Sequence, residues 1–168
     1  MGWCGNGNGR DYLRFKEILH RLGGAYRFSV CSEFFCRLRG ASWGRVQFDF
    51  VIMRKGKLFL MEFDDEDYDG RRHPRRRGKV HACGISNVPF RVFYSDDLWS
   101  DDIEERILGF VFTEVAGEQE VVPSEGCWDF VYRNLSWRQE KRYYEGKRVY
   151  GWARKYVSVD GEIRLNPN

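Results

Sequence analysis

Two carboxylates, Asp49 and Glu62, flank one turn and could act together on a cation or a proton. The stretch VQFDFVIM, then RKGK, then LFLMEF reads as a β-hairpin with Lys55-Gly56 at its tip. Folding it there sets Arg54 opposite Lys57, Phe50 opposite Met61 and Asp49 opposite Glu62. Strand side chains alternate faces, so the two acids share a face with Cβ atoms roughly 5 Å apart. Like charges directly across a sheet repel, and the apolar neighbours reduce their hydration. One carboxyl takes a proton, or a cation sits between them. A hard divalent ion with oxygen ligands, Mg²⁺ or Mn²⁺, fits such a pair, and Asp64 is a third oxygen source on the same face. The bland alternative is a solvent-exposed hairpin face with both acids hydrated.

A single α/β core can position this pair. The chain has 168 residues, enough for one domain, and its 13 Phe, 9 Tyr and 6 Trp supply large buried area. Residues 1–10 read as a flexible segment, 11–110 as the core, and 111–168 as an aromatic-rich extension packed on it. Tyr12, Phe15, Ile18, Leu19 and Leu22 recur at helical spacing, and Gly23-Gly24 is expected to stop that helix. Residues 25–36 alternate as a strand. Pro74 and Gly84 bracket a short helix, and VPFRVFY (88–94) is a further strand. Because a helix separates it from LFLMEF, that strand can return parallel. Ser100 or Asp101 caps a helix through Ile103, Ile107 and Leu108, and FVFTEV then reads as a strand. The expected architecture is a mixed β-sheet flanked by helices.

This order of elements resembles the restriction-endonuclease-like, or PD-(D/E)xK, nucleases. Helix, FDFVI (48–52), LFLMEFD (58–64), basic helix and VPFRVFY (88–94) carry the likeness over residues 11–110. It looks closest to the very-short-patch-repair-like branch. The resemblance implies a Mg²⁺-dependent endonuclease acting on DNA, with Asp49 as the first metal-binding aspartate and Glu62 as the second acid. The family's usual lysine two residues later is absent, because Asp64 stands there. The related branch keeps an aspartate at that place and a histidine downstream, which His73 resembles. The longer spacing here makes Asp69 an alternative match to Asp64. Lys79 is a candidate for the missing positive charge, and Glu17 for a helical acid of the family.

In such a site Asp49, Glu62 and Asp64 would hold the metal. His73 would serve as general acid or base. Lys79 would neutralise the phosphate. Arg71, Arg72, Arg75, Arg76 and Arg77 crowd a helix start, where cations oppose the helix dipole. They fit either the phosphate backbone of nucleic acid or the acidic run just before them. The aromatic and basic residues of 128–156 suit base stacking or ordinary packing over the sheet.

Other classes find less support. The net charge of +3 does not restrict the partner. Five cysteines at irregular spacing are no disulfide framework, and with no signal-like or membrane-length apolar segment they suggest a reduced, intracellular protein of cytoplasm or nucleus. Cys31, Cys36, His81 and Cys83 could form a zinc site, at unfamiliar spacing. A nuclease-like fold that binds nucleic acid or protein without cleaving is the competing reading, favoured by the missing lysine. Two-strand cleavage by so small a domain would favour a homodimer.

Overall fold

A computed structural model of the chain describes residues 9–39, 44–64, 75–124, 127, 130, 156–159 and 162–165. Helix α1 (Gly9–Tyr26) leads into three antiparallel strands, β1 (Ser29–Leu38), β2 (Arg45–Arg54) and β3 (Lys57–Asp64). Helix α2 (Arg75–Ile85) then carries the chain to β4 (Phe90–Tyr94), which lies parallel to β3. Short α3 (Ser95–Leu98) and α4 (Ile103–Val111) follow, and β5 (Val121–Pro123) pairs with the far side of β1. The result is a mixed five-stranded sheet in the order β4-β3-β2-β1-β5, flanked by helices. Strands β6 (Tyr156–Val159) and β7 (Glu162–Leu165) form a separate two-stranded ribbon.

Each face of the sheet buries its own cluster. Phe15, Leu19 and Leu22 of α1 and Ile103 and Ile107 of α4 pack against Phe50, Ile52, Phe59, Met61, Phe63 and Phe93. Ala82 and Cys83 of α2 cover Phe34, Cys36, Val46, Phe48, Val51, Leu58 and Leu60 on the other face. Phe15 is the hub of the first cluster, with its ring 4.9 Å from Phe63 and 5.3 Å from Phe93. The two-sided burial explains why β2 and β3 carry near-continuous apolar runs.

Three expectations from the sequence need correction. First, α1 does not stop at Gly23-Gly24 but runs on to Tyr26. Gly23 is there for packing: the Phe28 N–H donates to its carbonyl at 3.0 Å, and a Cβ on Gly23 would lie 2.7 Å from the Phe28 oxygen. Second, FVFTEV is no strand. Phe110 and Val111 finish α4, and the chain beyond is pinned by side chains instead of a ladder. Arg54, only 8 % exposed, donates through its guanidinium to the carbonyls of Val111 at 2.7 Å and Thr113 at 3.2 Å. Third, the strand expected over 25–36 occupies Ser29–Leu38, because the longer helix displaces its start. Among the described residues, no helix is long and apolar enough to cross a membrane.

Candidate functional site

The hairpin turns where the sequence places it. Lys55 and Gly56 both adopt left-handed conformations, with φ of 50° and 76°, as a tight two-residue turn requires. Arg54 pairs with Lys57 and Phe50 with Met61, and there the β2–β3 ladder ends. Asp49, the next residue out, leaves the ladder. Its Oδ2 accepts the Phe63 N–H at 2.9 Å, a donor that a continued ladder would turn toward a β2 carbonyl. The carboxylate therefore lies along the gap between the strands and does not simply stand on one face beside Glu62.

A change of phase in β2 accompanies this. Val51 and Met53 face α2, and Phe50 and Ile52 face α1, in regular alternation. Beyond Asp49, however, Phe48 and Val46 also face α2. Strand β1 changes in step: Cys31 and Phe34 both face α2, with Glu33 between them at φ 55°. The β1–β2 register pairs Ser32 with Phe50 and Phe34 with Phe48, leaving Glu33 and Asp49 as the unpaired residues between.

The electrostatics follow from this placement. Burial, then the neighbouring Glu62 charge, pushes the Asp49 pKa up to about 6. Glu33 adds to the rise, while the Phe63 N–H and Lys79 oppose it. A second relief of the crowded charge is the Lys79 ammonium. From α2 it donates to Glu62 Oε1 and, at 2.7 Å, to the Gln47 carbonyl, and it lies 5.0 Å from the centre of the Phe48 ring. The Glu62 and Lys79 side chains are 22 % and 17 % exposed, so the pair is shielded but reachable. Lys79 is a positive charge offered from a helix at the acid pair, where the sequence lacks a lysine on the strand.

The other candidates are placed less fully. Asp64 closes β3 opposite Tyr94, and Arg75, Arg76 and Arg77 open α2; for these four only the backbone is described. His73, Arg71, Arg72 and Asp69 lie outside the described residues, as do most of the aromatic residues of 128–156. Glu17 sits exposed on α1. Among the described residues, no three His, Cys, Asp or Glu form a group that could hold a metal ion. Asp49 and Glu62 together supply one carboxylate held at a raised pKa and one neutralised by an ammonium. Asp49 and Glu62, with Asp64, are the residues that could hold a metal ion here, and an ion that keeps several waters, as Mg²⁺ does, would need only one or two of them.

The alternative zinc quartet does not assemble as a ligand group among the described residues. Cys36 and Cys83 are buried thiols in the cluster beneath α2, joined there by Cys127. Burial pushes the Cys36 thiol well above its ordinary pKa and the Cys83 thiol up to about 12.

Sequence reasoning missed Glu33, the Gln47 carbonyl and the Phe63 N–H. Only Lys79 left a signal beyond its charge. It shares the stripe of Ala82 and Cys83, so a lysine stands on the buried face of a helix. Compared with known proteins, the chain matches no family model, no curated protein and no solved structure.

Proposed function

We propose that this protein is a metal-dependent endonuclease that hydrolyses phosphodiester bonds in DNA. The observation that carries the reading is the convergence of Asp49, Glu62 and Lys79 at the end of the β2–β3 ladder. Asp49 and Glu62, with Asp64, would hold Mg²⁺ or Mn²⁺. When bound, the ion would polarise a phosphate oxygen and lower the pKa of a water. Lys79, released in part from Glu62, would offset charge that builds on the phosphate. His73 would move the proton, and Arg71, Arg72, Arg75, Arg76 and Arg77 would track the backbone. The restriction-endonuclease-like resemblance supports the same reading: the helix, hairpin, helix, parallel-strand order it expects is the order of α1, β2–β3, α2 and β4.

The test incubates the protein with single-stranded, double-stranded and branched DNA plus Mg²⁺ or Mn²⁺, beside Asp49→Ala and Glu62→Ala. Cleavage that is lost in both variants and in EDTA is expected. Cleavage undiminished in both variants would remove the metal site. Sedimentation with double-stranded DNA present reads whether a homodimer forms.

The ion pair between Lys79 and Glu62 favours one second reading. With Glu62 already neutralised, the fold could bind nucleic acid or protein without cleaving. Binding in EDTA with no cleavage in either metal would favour it.

A further inference from the structure

Glu33 is a non-glycine residue in left-handed conformation inside a long strand, with φ of 55°. That conformation costs an ordinary residue about 1–2 kcal/mol, so the surroundings must hold it. One thiol does so. The Phe35 N–H donates to Cys127 Sγ at 3.3 Å, and Cys127 Sγ donates to the Glu33 carbonyl at 3.8 Å. A single sulfur thus satisfies the backbone on both sides of Phe34. It is itself anchored, because the Cys127 N–H donates to Ser124 and the Ser124 N–H to the Phe35 carbonyl, both at 2.9 Å.

The residue left unpaired opposite this kink is Asp49. Beyond the kink both strands turn the same face to α2, so the twist is shared by the ribbon and is not a local fault of one strand. A regular ladder would give the Phe63 N–H a backbone partner and leave the Asp49 side chain standing on the sheet face. We propose that the left-handed kink at Glu33, clamped by the Cys127 thiol, turns Asp49 out of the ladder and aims its carboxylate along the β2–β3 gap. Glu33 and Cys127 are then positioning residues, Glu33 through its backbone. Their importance for catalysis rests on the endonuclease reading above; the geometry they impose does not.

The experiment reads which atom accepts the Phe63 N–H, by NMR couplings across the hydrogen bond to the Asp49 carboxyl carbon or to the Phe48 carbonyl carbon, with the Leu60 amide, bonded to Pro89 on the β4 side at 2.9 Å, as internal reference. Glu33→Gly accepts the left-handed conformation without the carboxylate, and Glu33→Val opposes it. Cys127→Ala removes the clamp. Glu33→Gly is expected to keep the coupling to Asp49, whereas Glu33→Val and Cys127→Ala lose it in favour of the Phe48 carbonyl, with the Leu60 coupling unchanged. An unchanged Asp49 coupling in Cys127→Ala overturns the clamp. Loss of the Asp49 coupling in Glu33→Gly overturns the kink's role, since the carboxylate and not the backbone would then matter. Should Glu33→Val not fold, these two variants still decide. Mn²⁺ affinity measured on the same samples separates the two ideas. A wild-type protein that binds no Mn²⁺ and cleaves nothing removes the endonuclease reading and leaves the amide result standing.

Discussion

The Lys79 ammonium on α2 is hydrogen-bonded to the Glu62 carboxylate on β3, joining the crossover helix to the strand whose end carries the acid pair. The contact does two jobs. It offsets charge that would otherwise crowd Asp49, and under the proposed endonuclease function it would bring a cation to a bound phosphate.

Lys79→Met is therefore expected to lower metal-dependent DNA cleavage on the order of 10²–10³-fold, the usual effect of deleting one charge-stabilising donor. Lys79→Arg keeps the charge but not the compact ammonium, and should fall between the two. Single-turnover cleavage at saturating protein checks both. Equal rates for wild type and Lys79→Met would remove Lys79 from the site.

Asp49 predicts a pH dependence of stability. Its pKa is raised from 3.8 to about 6, so between these values the folded chain binds more proton than the unfolded one. The stabilising contribution is complete below the lower value and is lost as pH rises through the upper one, by up to about 3 kcal/mol. Asp49→Asn can still accept the Phe63 N–H but has nothing to titrate. Urea unfolding at about pH 4.5 and about pH 7.5 should show the variant gaining on wild type at the higher pH. Parallel profiles for the two proteins would exclude Asp49 as the source.

Among the described residues Arg54 is the buried cation, with its guanidinium over the Phe59 and Phe112 rings and bonded to the Val111 and Thr113 carbonyls. Arg54→Met leaves those carbonyls without their donor and should destabilise the protein by roughly 2–4 kcal/mol. Arg54→Lys should recover only part, since one ammonium cannot reproduce the fork. Denaturant midpoints measure both. A midpoint unchanged in Arg54→Met would mean that water replaces the guanidinium at no loss.

Gly23 and Gly24 are expected to respond in opposite directions to alanine. At Gly23 the added Cβ would meet the Phe28 carbonyl oxygen at 2.7 Å, and the strained approach should cost about 1–3 kcal/mol. At Gly24 nothing lies within 4 Å, so alanine should stabilise the helix by about 0.5–1 kcal/mol. Thermal unfolding of the two variants gives the comparison directly, and destabilisation by both would contradict the assignment of Gly24 to open helix surface.

Much of the scaffold was legible because its signals are local. The Lys55-Gly56 turn sets the hairpin register, and the apolar stripe of Phe15, Leu19 and Leu22 marks α1. Errors came where a tertiary contact decides the outcome. Gly23-Gly24 reads as a helix stop, yet Gly23 is kept small by Phe28. FVFTEV reads as a strand, yet its backbone is held by Arg54 from fifty-seven residues away. The phase change at Asp49 was invisible for another reason. Phe50 to Met53 are apolar on both faces, so no polar residue marks which side each one takes. Lys79 could be named as a source of charge, but its acceptors could not, since they depend on how α2 lies across the sheet.

The thiols beneath α2 have a practical consequence. Cys36 on β1 and Cys83 on α2 are buried where the helix meets the sheet, with raised thiol pKa values that favour the protonated form, which alkylating reagents and peroxide attack poorly. Lifting of α2 from the sheet would expose both thiols, and the same movement would withdraw Lys79 from Glu62. The rate at which these two cysteines are modified in native buffer is thus a clock for the opening of the site, readable without any substrate.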